Sequence, residues 1–141
     1  MSTLIDSGPL VAAANRKDRD HERCLRLLQE LPGPLLIPAT VLIEACWVIG
    51  DRVGAHAHAL FLEAVAAELE RDRYVLVDLL PSDLPRMAEL VTKYSALRLD
   101  PTDASVVAIA ERLNVRQVAT LDRRDFGVVR PRHAEAFKIL P

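Results

Sequence analysis

Short apolar runs alternate with longer helical patterns along this chain, and that alternation constrains its fold more than any single motif. Thr3 to Ile5, Leu35 to Ile37, Tyr74 to Val77 and Gln117 to Leu121 are too short for helices and read as buried strands. The segments between them repeat apolar residues at helical spacing, with Cys24, Leu25, Leu27, Leu28 and Leu31 on one helix from about His21 and Ala57, Leu60, Phe61, Ala64 and Val65 on another from about Val53. Pro32, Gly33 and Pro34 end the first of these. Such alternation predicts an α/β fold with a central, largely parallel sheet. At 141 residues, half of them hydrophobic, the chain has the size of a single domain over 1–141 and can bury a core without disulfides or structural metal. Further helices are expected from about Ala39 to Gly50 and after a Ser82 cap. Short terminal strands are expected at Val128–Val129 and Phe137–Leu140.

In parallel sheets of this kind, ligands bind outside the carboxyl ends of the strands. Asp6 follows the first strand, and Asp122 follows the strand from Gln117. Asp100, Pro101, Thr102 and Asp103 form a helix start, with Asp100 as N-cap and Pro101 at the first helical position, where its missing N–H costs nothing. A helix returning along the sheet brings Asp103 beside Asp122. Glu44, the only charge in the run LLIPATVLIEACWVIG, can reach the same edge from the start of its helix. A lone carboxylate among aliphatics is expected to be paired with a cation, hydrogen-bonded, protonated or metal-bound. Asp78 also ends a strand, but the Leu79, Leu80 and Pro81 that follow suit a turn rather than a site.

Each acid alone has an ordinary explanation as a cap, a first-turn residue or a turn former. Together they are harder to explain, because converging carboxylates repel one another unless a divalent cation neutralises them. An all-oxygen set with no cysteine or histidine suits Mg²⁺ or Mn²⁺ better than Zn²⁺, and points to phosphoryl chemistry. Asp100 competes with Asp103 as a ligand, and Asp125 stands where it can support the metal or hold a basic side chain.

The net charge of −2 argues against bulk electrostatic attachment to nucleic acid and leaves local patches, Arg16, Lys17 and Arg19 in one, and Arg123, Arg124, Arg130 and Arg132 in another. Cys24 and Cys46 show neither zinc spacing nor a disulfide framework, which suits free thiols in a reducing cytoplasm. His56 and His58 are expected to face solvent. No export signal or membrane span is expected.

These segments resemble the PIN-domain ribonucleases, and among them the VapC-type toxins of bacterial and archaeal type II toxin–antitoxin systems. The resemblance covers the whole length and rests on LIDSGPL from Leu4, IEACWVIG from Ile43, DASVVAIAERL from Asp103 and TLDRRDF from Thr120. It implies a PIN-like α/β/α sandwich in which Asp6, Glu44, Asp103 and Asp122 form an acidic quartet that binds Mg²⁺, with Ser7 and Thr120 as hydroxyls near the site. It also implies a Mg²⁺-dependent endoribonuclease acting on an RNA substrate, a homodimer, and a cognate VapB-type antitoxin seated on an apolar groove walled by Leu10, Leu28 and Trp47. Arg123 and Arg124 are then placed to hold flanking phosphates. The alternative is a non-catalytic PIN-like module that binds RNA or protein. A phosphatase would carry a second acid two residues after Asp6, where Gly8 stands, and a receiver-type domain would need a lysine on the strand from Gln117, which has none.

Overall fold

The computed structural model describes residues 1–141. Five strands form one sheet: β1 (Thr3–Ile5), β2 (Leu35–Pro38), β3 (Tyr74–Val77), β4 (Gln117–Ala119) and β5 (Lys138–Leu140). Their order is β3-β2-β1-β4-β5, and every pair is parallel. Seven helices connect them: α1 (Ser7–Ala14), α2 (His21–Glu30), α3 (Ala39–Arg52), α4 (Ala55–Glu70), α5 (Asp83–Lys93), α6 (Pro101–Leu113) and α7 (Arg123–Val128). The chain builds outward from β1 to β3, then crosses back to β4 on the other side of β1. Right-handed crossovers put α1 to α4 on one face and α5 to α7 on the other. No helix is long and apolar enough to cross a membrane.

The reversal between β1 and β4 opens a crevice at their carboxyl ends, the place where parallel α/β sheets bind ligands. The register there is Thr3 to Gln117, Leu4 to Val118 and Ile5 to Ala119. The Asp6 amide continues the ladder by donating to the Ala119 carbonyl at 2.9 Å, and Gln117 Nε2 donates to Thr3 Oγ1 at 2.6 Å at the buried opposite end. Both strands are buried along their length, as the middle of a covered parallel sheet must be. Leu4, Ile5, Leu35, Ile37, Val118 and the α6 residues Val106, Val107 and Ile109 make the core.

Helix α6 departs from a simple one-sided stripe. Ala104 to Ala110 are all buried, because α5 and the sheet cover this part of the helix and the start of α3 meets its first turns, whereas Leu113 is exposed near its end. Asn114 ends it in the left-handed conformation at φ 55°. Gly54, at φ 132°, breaks the apolar run between α3 and α4 two residues after Arg52, so α4 starts at Ala55 rather than Val53.

Four expectations need correction. The strand from Gln117 ends at Ala119, and Thr120 to Asp122 form the loop to α7. Val128 belongs to helix α7 rather than to a strand, because the Asp122 carboxylate caps that helix by accepting from the Asp125 amide at 3.1 Å. Ser82 makes no side-chain cap. Asp83 Oδ2 accepts from the Leu80 amide at 2.9 Å instead. His56 is exposed, but His58 is partly covered, with Nδ1 3.3 Å from the Cys46 carbonyl oxygen. Cys24 is buried and Cys46 half-buried, both as free thiols.

Candidate metal centre at the strand ends

Asp6 leaves β1 at the edge of the crevice, is 4% exposed, and gives no cap to α1. Its Oδ2 accepts a hydrogen bond from Thr120 Oγ1 at 2.7 Å, while its Oδ1 is buried with no partner. The Thr120 hydroxyl also accepts from the Asp122 amide at 3.0 Å, so one side chain orients both acids. Asp103 stands in the first turn of α6, where Asp100 Oδ1 accepts from its amide at 2.8 Å. The N-cap role expected of Asp100 is therefore present.

The crossover folds α6 back so that Asp103 meets the α7 cap. Carboxylate oxygens of Asp103, Asp122 and Asp125 lie within 4.8 Å of one another, a group that does not include Asp6 or Glu44. Asp125 is thus a closer neighbour of the Asp103–Asp122 pair than its position in the sequence suggests. The spacing Asp122-x-x-Asp125 holds the signal, since a capping acid and a first-turn acid three residues on share one helix end.

Glu44 reaches the same edge from α3 but is only half-buried, because Ile43 and Trp47 on either side of it face outward. Ser7 Oγ donates to Glu44 Oε2 at 2.7 Å. Of the four states open to Glu44, the structure supplies hydrogen bonding. A contact absent from the sequence motifs fixes this helix against α6. Thr40 Oγ1 and Ser105 Oγ are 2.6 Å apart, and Ser105 donates to the Thr102 carbonyl at 2.6 Å, so Thr40 donates to Ser105. Thr40 lies one turn before Glu44 and Ser105 two residues after Asp103. Hydroxyls in the first turns of two helices were the only hint of it.

The electrostatics are those of an uncompensated cluster. Burial, opposed by the Thr120 and Ser7 hydrogen bonds and reinforced by the charges of Glu44 and Asp100, pushes the Asp6 carboxyl up to about 6. Burial and the charges of Asp6, Asp100 and Asp122 push Asp103 up to about 8. Asp125 is also raised, by burial and by its hydrogen bond and charge repulsion with Asp122. No lysine, arginine or histidine forms an ion pair with any of these acids. A buried carboxylate oxygen without a partner, surrounded by like charges, fits a hard divalent cation bound through oxygen.

The expected apolar groove divides in two. Leu10 and Leu28 line a cavity of about 370 Å³ with Leu25, Phe61 and Val65, between α1, α2 and α4. Trp47, 75% exposed, lines a separate depression with Ile43, Cys46 and His58. The basic residues after Asp122 also part company. Arg123 and Arg124 are exposed at the start of α7, and Arg123 Nη1 donates to the Pro141 carbonyl. Arg130 and Arg132 turn toward α5.

Known proteins share both the sequence pattern and the fold. A sequence profile described as PIN domain matches residues 3–130. Ribonuclease VapC26 of Mycobacterium tuberculosis (strain ATCC 25618 / H37Rv) is 29% identical over 138 residues, covering 98% of this chain and 99% of that protein. Among solved structures, VapC20 of Mycobacterium tuberculosis, described as a sarcin-ricin loop cleaving toxin, superposes with a TM-score of 0.73 at 17% identity, over 82% of this chain and 86% of that one. VapBC2 from Rickettsia felis, bound to a DNA fragment from its promoter, gives 0.69 at 16% identity over 99% and 97%. FitAcB from Neisseria gonorrhoeae gives 0.62 at 14% over 99% and 96%. At these identities the solved structures speak for the fold.

Proposed function

The chain belongs to the PIN-domain family, and from that premise we propose that it is a Mg²⁺-dependent endoribonuclease, the toxin of a type II toxin–antitoxin pair. The observation that carries this reading is the crevice between β1 and β4, where buried Asp6 and the half-buried Asp103, Asp122 and Asp125 gather with no cation to balance them. Asp6, through its unpartnered Oδ1, and Asp103 would hold the metal, with Asp122 and Glu44 completing the acidic quartet and Asp125 beside Asp122. Mn²⁺ would fit the same oxygen donors.

Bound there, the cation would polarise a phosphodiester and lower the pKa of a bound water. The remaining work belongs to the chain. Thr120 holds the Asp6 carboxylate in one orientation and ties the Asp122 backbone to it. Ser7 holds Glu44, and the Thr40–Ser105 pair fixes α3 against the start of α6, setting the gap between Glu44 and Asp103. Asp100 is occupied in capping α6, which leaves Asp103 as the ligand from that turn. Arg123 and Arg124 stand at the rim, where flanking phosphates would pass.

Two partners belong to this proposal. The resemblance to VapC proteins, and the solved relative whose description names a VapBC complex, support a VapB-type antitoxin. Its apolar segment would lie in the Leu10–Leu28 cavity. A second copy of the chain would form a homodimer. We place the protein in the cytoplasm, where Cys24 and Cys46 remain free thiols.

Cleavage of a mixed RNA pool by purified protein tests the proposal, with Mg²⁺, with chelator, and with Asp103→Asn. Cutting that requires metal and disappears in the variant is expected. If folded, antitoxin-free protein leaves the pool intact, the non-catalytic binding module becomes the better reading.

A further inference from the structure

A second charged region lies away from the acids. Helix α5 and the segment Arg130–Arg132 enclose an open cleft of about 780 Å³, lined by Arg86, Glu89, Thr92, Lys93, Arg130 and Arg132 with small neighbours between them. Four cations face one carboxylate there, in a chain whose net charge is −2. Two of the four are fixed from below. Arg86 Nε and Nη2 donate to the two carboxylate oxygens of Glu111 at 2.8 and 2.9 Å, in a pair only 15% and 11% exposed. The Arg132 amide donates to the same Glu111 at 2.8 Å. The backbone of Arg130 is held by its amide donating to the hydroxyl of buried Tyr94 at 2.9 Å. The side chains of Lys93 and Arg130 form no ion pair.

Glu89 shows what the cleft accepts. This 56%-exposed carboxylate sits between two guanidiniums, 3.3 Å from Arg86 Nη1 and 2.7 Å from Arg132 Nη2. An anion of phosphate geometry would meet the same two forks and, in addition, Lys93, whose ammonium lies over the Tyr94 ring, and Arg130, whose Nη1 donates to the Glu135 carbonyl, neither of them in an ion pair. The acid crevice, by contrast, contributes repulsion to a polyanion, so affinity for one must come from cations elsewhere. Arg130 lies two residues beyond α7, whose cap is Asp122, so this one short helix separates the acid cluster from the cleft along the chain.

We propose that the cleft between α5 and Arg130–Arg132 is a binding site for the sugar–phosphate backbone of single-stranded RNA, with Lys93 and Arg130 as its phosphate contacts and Glu89 as the carboxylate that RNA displaces. The proposal rests on the ribonuclease reading and adds to it the surface that holds the substrate away from the scissile bond.

The test is binding of a short fluorescent single-stranded RNA to protein carrying Asp103→Asn, followed by anisotropy across a salt series. In that background, Lys93→Ala with Arg130→Ala should make the dependence of log affinity on log salt shallower by about 1.4, two phosphate contacts at roughly 0.7 each. Glu89→Gln should tighten binding severalfold. Arg116→Ala with Lys138→Ala, which removes two exposed cations outside the cleft, should leave the slope near that of the parent. Opposite effects from the first two variants are not a result that misfolding can produce. An equal slope for both double variants, or unchanged affinity for Glu89→Gln, overturns the proposal. Cleavage of the mixed RNA pool by otherwise native protein separates the two readings. If that protein cuts and its Lys93→Ala, Arg130→Ala form cuts equally well at low salt with RNA below saturation, the cleft fails alone. If the native protein neither cuts nor binds RNA, both readings fail.

Discussion

Helix α6 carries half-buried charge at both ends, and the two ends are built on opposite rules. At its start, Asp103 faces Asp122 and Asp125 with no base among them. Near its end, Glu111 and Arg112 each meet a partner on α5, Glu111 with Arg86 and Arg112 Nε with Asp83 at 3.1 Å. The chemistry follows the pairing. Asp103 is driven up to about 8 by burial and like charges, whereas burial of Glu111 is outweighed by the hydrogen bonds and charges of Arg86 and Arg132 together, so its carboxyl is held below the usual range. A buried acid that the fold has balanced is structural. One that the fold leaves unbalanced can take a charge from outside, and that contrast separates the candidate site from the scaffold on a single helix.

Removing the charge at each end should break this contrast most directly. Asp103→Asn should cut RNA cleavage by more than about a hundredfold, beyond the upper end of what losing an outer-shell partner does to a metal site, while leaving the metal-free protein at least as stable. Single-turnover cleavage and thermal melts would show both. Asp83→Ala, at the paired end, should lower stability by about 3 kcal/mol or more because it strands Arg112 in a half-buried position and removes the acceptor of the Leu80 amide. Cleavage per folded molecule should be unchanged. Denaturant unfolding gives the first quantity, and a stability loss within the range of exposed pairs, about 1 kcal/mol or less, would count against the structural assignment.

A smaller effect should come from the hydroxyl that orients the acids. Thr120→Val removes the hydrogen bond to Asp6 while keeping the shape, and should weaken metal affinity about 10- to 100-fold, with cleavage restored at high Mg²⁺. A cleavage defect that extra metal does not rescue would point to a role for Thr120 beyond orientation.

The mildest test is pH. In metal-free protein, Asp6 and Asp103 have folded-state values raised from 3.8 to about 6 and about 8, so the folded chain keeps protons that the unfolded chain has lost. Their contribution to stability is full below pH 3.8 and falls as pH rises toward 8. Glu111 works with the opposite sign, because a lowered value gives stability that is lost as pH falls through it. Melts in chelator should therefore decline on the alkaline side, and Mg²⁺ should raise the melting temperature more at pH 8 than at pH 6. Asp103→Asn should flatten the alkaline decline, and Glu111→Gln the acidic one.

Much of this was legible in the chain before any fold. Strand ends and a helix cap gave Asp6, Asp103 and Asp122, because a short apolar run stopped by an acid and the Asp-Pro-x-Asp start of α6 have local physical causes. Glu44 stands out in the sequence for a reason the structure alters. It was expected to be buried, yet the faces of α3 that carry Ile43 and Trp47 are open, and what marks Glu44 is the Ser7 hydroxyl bonded to it. The end of helix α7 reads as a strand in the sequence, since Val128 and the Val129 that follows the helix share an apolar pattern with strands and the cap formed by Asp122 has no signal in periodicity.

What the sequence determined by itself was local: which segments become strands or helices, where most of them stop, and which residue types stand at the ends. The physical reason is that capping, proline geometry and apolar periodicity act over a few residues. Which acids meet, and which are answered by a base, only the tertiary structure decided. Asp6 meets Thr120, 114 residues away, because β1 pairs with β4, and Glu89 meets Arg132, 43 residues away, because the segment after α7 crosses α5. Those distances are set by the strand order and the crossovers, so one run of arginines in the sequence becomes two surfaces in the molecule, and one helix carries both an unbalanced acid cluster and balanced ion pairs.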